Sequence, residues 1–346
     1  MTGEPEKLKT TAAEAEIEAL RATEHATRRA TVPALEDILY VVQPVLDRGF
    51  VRLVDYMGDD GAVVQAARVS YGKGTSKVSS DRGLIRYLMR HRHTTPFEMC
   101  ELKLHVKLPI FVARQWIRHR TANVNEYSAR YSILSREFYV PDEGAIDTRL
   151  ARLREEGGQI DLLGDEWRQR EARHLAAQSR SNKQGRAERL TPEEAAEAVR
   201  LIRAESRRAY TNYEKLLNEH AGAPIDPDAK GLARELARMV LPTNFYTEWY
   251  WKCDLHNLLH FLSLRADAHA QYEIRVYAEA IADIVRRWVP LSYEAFEDYV
   301  MGGVRLSAGD LGVVRRLMAG ETLSQEESGL SPREWRELMA HLGREP

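Results

Sequence analysis

Residues Cys100 to Leu108 alternate between apolar and polar: Leu102, Leu104, Val106 and Leu108 on one side, Lys103, His105 and Lys107 on the other. A period of two predicts a half-buried strand. Phe50 to Tyr56 reads as another strand, ended by Gly58-Asp59-Asp60-Gly61. From Pro109 the period lengthens. Ile110, Ala113, Trp116 and Ile117 make the apolar stripe of a helix with proline in its first turn. Arg114 and Arg118, four apart, share a different face of that helix, beside Gln115. Further helices are predicted over Ala62 to Arg68, with Asp60 available as a cap, and through Leu84 to Met89. Another opens at the capping box Thr191-Pro192-Glu193-Glu194. Three more cover about Asp228 to Val240, Leu255 to Leu264, and Ala268 to Trp288, where Pro290 ends the last. Tyr246, Trp249, Tyr250 and Trp251 read as an aromatic cluster for the core or a subunit contact. Strands lie mainly in the N-terminal half and the C-terminal half is helical, so the expected class is α+β.

Composition adds boundaries. The chain has 346 residues, 44% hydrophobic and 29% charged, which suits a globular protein with ample core. A formal net charge of −2 argues against a surface that coats nucleic acid, so any arginine chemistry must be local. Two cysteines, Cys100 and Cys253, make no disulfide framework and point to a reducing cytoplasm. No apolar run approaches the ~20 residues that span a bilayer. Residues 1–31 are charged and Ala-rich and read as a flexible extension; about 142–190 is a polar insertion; 301–346 reads as a helical tail. Gln178 to Gly185 could pass for an RNA-binding run, but it lacks the interleaved aromatics that stack bases.

The stretch from Arg118 to Tyr131, Arg-His-Arg-Thr-Ala-Asn-Val-Asn-Glu-Tyr-Ser-Ala-Arg-Tyr, carries the chemistry. Fixed guanidiniums clamp phosphates bidentately, and a nearby Glu and Ser can bond ribose hydroxyls or a base edge. An extended backbone would place Glu126, Ser128 and Arg130 on one face, with Tyr127, Ala129 and Tyr131 behind. Arg90-His91-Arg92 repeats the opening tripeptide without the polar pattern that follows, and alone reads as surface. His256 and His260 stand four apart on a helix, but Asn257 occupies the place where a zinc protease motif needs Glu, so no metal is expected. Two readings of the basic stretch stand side by side: an enzyme that handles a nucleotide, or a non-catalytic nucleotide- or RNA-binding protein.

Arg118-His119-Arg120, seven residues, then Ser128 resembles the signature of the flavin-dependent thymidylate synthases. Ala67 to Ser70, His93 to Glu98, Pro109 to Trp116, Ala237 to Pro242 and Leu264 to Gln271 resemble further motifs of that family, in order, so the likeness covers most of Gly49 to Val300. The resemblance implies an antiparallel sheet flanked by helices, a catalytic domain at about 32–300, and a homotetramer with sites shared between subunits. It implies reductive methylation of dUMP to dTMP with methylenetetrahydrofolate and NADPH, FAD carrying the hydride. By family position Arg265 is the catalytic residue. The dUMP site would take Arg114, Gln115, Trp116, Ile117, Arg118, Glu126, Tyr127, Ser128, Ala129, Arg130, Arg238 and Arg265. FAD would be held by Ser70, His93, Thr95, Arg118, His119, Arg120, Asn125, Glu126, Asp254, Leu255, His256 and His260. Neither nucleic acid nor membrane is an expected partner.

Overall fold

The computed structural model describes residues 10–69, 78–141, 176–178 and 186–345. The expected alternation is realised in strand β3, one of nine strands among the described residues. These are β1 (Val42–Val45), β2 (Gly49–Met57), β3 (Glu101–Pro109), β4 (Asn123–Glu126), β5 (Ala176–Gln178), β6 (Arg186–Arg189), β7 (Glu219–His220), β8 (Ala223–Pro224) and β9 (Tyr246–Asp254). One antiparallel sheet runs β1-β2-β3-β9-β4. Leu53, Leu104 and Trp251 face one another across three strands, as do Val51, Val106 and Trp249, and all six are buried. Period-two side chains on neighbouring strands thus build one apolar face.

The helices are α1 (Thr10–Ala22), α2 (Pro33–Glu36), α3 (Asp60–Val69), α4 (Val78–Arg90), α5 (Ile110–Trp116), α6 (Pro192–Leu217), α7 (Arg234–Ala237), α8 (Leu255–Arg265), α9 (Tyr272–Trp288), α10 (Pro290–Phe296), α11 (Ala308–Met318), α12 (Gln325–Ser328) and α13 (Pro332–His341). Helices α5, α8 and α9 pack against the sheet strands, and α8 and α9 against each other. Tyr277 Oη donates to the Lys107 carbonyl at 2.7 Å and Trp288 Nε1 to the Gly58 carbonyl at 2.7 Å, which fixes α9 across the strands. The other sheet face is charged and paired. Arg52 Nη2 donates to His105 Nδ1 at 2.7 Å, which leaves Nε2–H to donate to Glu248 Oε2 at 3.0 Å. His105 also stacks on Tyr250, centroids 4.9 Å apart.

Several boundaries differ from expectation. The aromatic cluster at 246–251 is part of β9, a strand inside the sheet supplied by the C-terminal half. Residues 228–233 are not helical; Asn218 Nδ2 donates to the Asp226 and Ala229 carbonyls, and that local bonding holds a loop open before α7. Pro290 begins α10 after ending α9. Asp59 Oδ1, not Asp60, accepts from Ala62 N at 2.8 Å. Asp60 reaches instead to Leu291 N, Ser292 N and Ser292 Oγ. The capping box at Thr191 forms as expected. Most of the polar segment 142–190 lies outside the described residues; within it β5 pairs with β6. Residue 29 of the N-terminal extension contacts the sheet, Arg29 Nη1 donating to the Tyr56 carbonyl at 3.0 Å.

The chain forms two compact units, Met1–Tyr293 and Glu294–Pro346. The second has its own small core of Val313, Trp335, Leu338 and Met339, and its helices open on capping boxes at Ser307, Ser324 and Ser331.

Candidate active site

Helix α5 delivers the basic stretch to a fixed place because its last residue is an anchor. Trp116 is fully buried, stacked on Phe261 of α8 at 4.8 Å and edge-on to Trp251 and Trp249 of β9 at 5.4 and 5.7 Å. Among the predicted members of its stripe, Ala113 and Trp116 are buried while Ile117 is 46% exposed; Val112 takes the remaining inward place. Just past the helix, Arg118, His119 and Arg120 open onto a cavity of about 530 Å³, completed by Thr121, Ala122, Trp251, Cys253, Asn257, His260, Leu264 and Arg265. That size lies within the ordinary range for small-molecule sites.

Among the described residues, no Asp or Glu lines this cavity. Arg265 Nε donates to His119 Nε2 at 3.0 Å. His119 packs edge-on against Phe261 at 5.0 Å and lies near His260 at 6.0 Å. Burial first, then the charge of Arg265 and of His260, lowers the His119 pKa to about 4, so the imidazole is neutral at pH 7. Burial and the nearby Arg118 also lower the Arg265 pKa, although a guanidinium remains charged. Among the described residues, Arg118, Arg120 and Arg265 have no carboxylate ion partner.

The other expected site residues fall in separate groups. Gln115 donates through Nε2 to Gln271 Oε1; Gln271 donates to Glu273 at 2.9 Å, and Tyr139 Oη donates to the same carboxylate at 3.2 Å. Glu273 is 5% exposed, so this chain of bonds runs from the core to Gln115. Arg130 pairs with Glu235 at 3.3 Å, and Arg238 Nε donates to the Glu235 carbonyl at 3.2 Å, which brings both arginines to one residue. Arg114 is exposed and Leu255 is buried in the α8 core. Asp254 is the N-cap of α8, accepting from Asn257 N at 2.9 Å and Asn257 Nδ2 at 2.7 Å. His256 is half-buried on α8 and is not a cavity-lining residue; His93 and Thr95 are exposed before β3 and also lie outside the lining. Ser70 lies outside the described residues.

The run beyond Arg120 is extended only from Asn123 to Glu126, as edge strand β4. Register sets Asn125 opposite Tyr250, on the charged sheet face, and Glu126 opposite Trp249, on the helix side. Glu126 Oε1 accepts from Thr247 Oγ1 at 2.8 Å. The chain then turns, with Tyr131 N and Ser132 N donating to the Ser128 carbonyl and Arg130 N to Ser128 Oγ. Serine's local backbone bonding displaces the expected extended conformation, so Glu126, Ser128 and Arg130 do not share a strand face. Tyr127 is 47% exposed, Ser128 is half-buried, and Ala129 packs beside Leu134 and Tyr213.

Sequence reasoning missed Gln271, Glu273, Asn257, Thr121 and Cys253 as parts of these groups. Gln271 closes the quoted Leu264–Gln271 motif, a signal available in the sequence. Asn257, read as a failed metal motif, is the partner of the Asp254 cap and a cavity wall.

Residues 52–291 match the family model described as "Thymidylate synthase complementing protein". The flavin-dependent thymidylate synthase of Ruegeria pomeroyi is 58% identical over 330 residues, covering 95% of this chain and 97% of that protein. That of Gluconobacter oxydans is 57% identical over 328 residues, covering 95% and 96%. Among solved structures, the UMP/dUMP methylase PolB from Streptomyces cacaoi bound with 5-Br dUMP is 33% identical with a TM-score of 0.57, over 73% of this chain and 96% of that one. With the family model spanning most of the sheet and site, and relatives this similar over nearly their full length, the chain belongs to the flavin-dependent thymidylate synthase family.

Proposed function

We propose that this chain methylates dUMP to dTMP in the cytoplasm, with methylenetetrahydrofolate and NADPH as co-substrates and FAD as cofactor, in a homotetramer whose sites are shared between subunits. The observation that carries this reading is the cavity holding three arginines and no carboxylate. Arg265 is half-buried and Arg118 and Arg120 are exposed; like charges gathered without an acidic partner repel one another, and an anion that joins them relieves this. A dinucleotide pyrophosphate fits that donor set, because guanidiniums bind phosphate oxygens bidentately. Arg118, His119 and Arg120 would hold FAD there, with His260 beside them. In this reading the catalytic domain is residues 32–300, flanked by the extension 1–31 and the tail 301–346.

When bound, the flavin supplies the hydride that uracil C6 accepts. This chain's residues supply binding and electrostatics. Arg130 and Arg238, gathered at Glu235, clamp the dUMP phosphate. Gln115, held by Gln271, borders the pyrimidine. Arg265 donates to the O4 or N3 side of the ring, where negative charge collects as C6 becomes electrophilic, and the half-buried position strengthens that contact. Neither cysteine nor Ser128 is set up as a nucleophile. Cys100 is fully buried and burial pushes its thiol up to about 12; burial likewise raises the Cys253 thiol. Ser128 lacks a base, since the Glu126 carboxylate is bonded to Thr247.

The test is an absorbance spectrum of the purified protein, followed by turnover with dUMP, methylenetetrahydrofolate and NADPH. Bound oxidised flavin and dTMP formation are expected, and Arg265→Ala should lose about 10²–10³-fold in the chemical step while keeping flavin. A colourless protein that makes no dTMP when supplied with FAD would refute the proposal and leave a binding module.

A further inference from the structure

Phe261 and Arg265 stand four apart on α8, on one helix face. The His119 ring meets that face at both points: its edge contact with Phe261 is 5.0 Å between centroids, and its Nε2 lies 3.0 Å from Arg265 Nε. Arginine carries donors only, so Nε2 must be the acceptor and the ring proton must sit on Nδ1. An imidazolium has N–H groups at both positions and would set N–H against N–H. The groups facing this ring are Arg118 and Arg120 from its own segment, and His260 and Arg265 from α8, with no acid among the cavity residues. Among the described residues, no group around the ring stabilises a proton on Nε2, and burial opposes it.

We propose that His119, as the neutral Nδ1–H tautomer, is the positioning residue for Arg265. Its lone pair fixes the guanidinium through Nε and leaves both terminal nitrogens to donate into the cavity. The inference rests on the reading of Arg265 as the charge-stabilising group, and gives His119 a task separate from holding a cofactor phosphate. A guanidinium on a long side chain has many rotamers; pinning Nε removes most of them before substrate arrives, which is what preorganised stabilisation requires.

Two measurements test it. The first needs neither flavin nor turnover: selective ¹⁵N-histidine labelling of the whole protein, with His119 assigned from the signal missing in His119→Gln. At pH 7 Nε2 should resonate as an unprotonated nitrogen and Nδ1 as a protonated one. A protonated Nε2 would overturn the proposal whatever the enzyme does. The second compares turnover per bound flavin. His119→Phe fills the space without an acceptor, and kcat should fall about 10–100-fold, the scale of a roughly 1 Å misplacement. His119→Gln restores an acceptor oxygen at similar reach and should recover most of kcat with little change in KM for dUMP. Equal kcat loss in both flavin-loaded variants would overturn the positioning role. If the Phe variant does not fold, the Gln variant and the wild-type tautomer still decide. An Nδ1–H tautomer in a protein that makes no dTMP would refute the proposed activity instead.

Discussion

Removing the indole of Trp116 would test whether one aromatic cluster holds the two halves of the site together. Trp116 lies three residues before His119, and Phe261 lies four before Arg265. The 4.8 Å stack of Trp116 on Phe261 therefore sets the spacing of the segments that meet in the 3.0 Å bond between His119 and Arg265. Contacts to Trp251, Trp249 and Tyr277 tie the same ring to β9 and α9. Truncating a core Trp to Ala costs about 3–5 kcal/mol. One term offsets this: Trp116 Nε1 is buried without a hydrogen-bond partner among the described residues, and relief of that neutral unmet donor returns about 1 kcal/mol, the lower end for such groups. The net expectation for Trp116→Ala is a loss of about 2–4 kcal/mol, a large share of a typical total of about 5–15 kcal/mol. Trp116→Phe removes the unmet donor and keeps a stacking ring, so its loss should stay below about 2 kcal/mol. Urea unfolding reads both as a lower midpoint at unchanged slope. At temperatures where Trp116→Ala remains folded, dTMP formation per bound flavin should fall about tenfold or more through the loosened Arg265. A stability loss below about 1 kcal/mol, or wild-type turnover in a destabilised Trp116→Ala, would refute the link between this cluster and the site.

Asp60→Ala should lower stability by about 2–4 kcal/mol, because its carboxylate accepts from Leu291 N, Ser292 N and Ser292 Oγ at 2.8, 2.9 and 2.6 Å; thermal unfolding would show it, and Asp60→Asn should lose less. Cys100→Ser and Cys253→Ser should each keep dTMP formation, and mass spectrometry of quenched single-turnover mixtures should find no protein–nucleotide adduct. Acid should weaken the fold through His119: its folded pKa of about 4 lies below the value of 6.5 for a free histidine, so the unfolded chain binds the proton first. That contribution is complete above about pH 6.5 and is lost as pH falls toward 4, and the pH slope of stability over this window should shrink in His119→Gln.

Much of this architecture was legible where local pattern and tertiary role agree. The alternation of Leu102, Leu104, Val106 and Leu108 became the middle strand, and Thr191 with Glu194 formed the predicted reciprocal cap. Strand β9 was harder to see because its inward set, Thr247, Trp249, Trp251 and Cys253, is half aromatic and its outward set includes Tyr250, so Trp249-Tyr250-Trp251 hides a period of two. Caps that cross the fold have no sequence signature at all: Asp60 serves residues more than two hundred positions away. Within the site, Arg118 to Arg120 and Arg265 were readable as a set through motif likeness. The support beneath Gln115 was not, because Glu273 acts on it through Gln271, and only folding reveals that order.

The distribution of charge separates the part of the surface that is finished from the part that awaits a ligand. On the open sheet face three lysines have their anions: Lys103 with Asp55 at 3.3 Å, Lys252 with Glu101 at 3.0 Å, Lys107 with Glu137 at 2.6 Å, while Arg52 bonds to His105. On α6, Arg200 pairs with Glu197 one turn away. The chain as a whole is nearly balanced, at −2, so pairing is available wherever folding alone is at stake. The cavity departs from this. Arg118, Arg120 and Arg265 converge on a space walled by Thr121, Asn257 and Cys253 with no acid among the described residues, and burial first, then the charge of Arg118, depresses the Arg265 pKa. Arg130 shows the intermediate case, since its pair with Glu235 is exposed on both sides, 59% and 52%. An exposed pair of that kind contributes at most about 1 kcal/mol, so a phosphate bound bidentately can take the guanidinium from it. Arg118 and Arg120, exposed and proposed for the cofactor, are thus left open, while the arginine proposed for an exchanging substrate has a weak resting partner. Burial separates Arg130 from Arg265: solvent screens exposed Arg130 between turnovers, whereas half-buried Arg265 has, among the described residues, the neutral His119 as its acceptor and no anion until one enters the cavity.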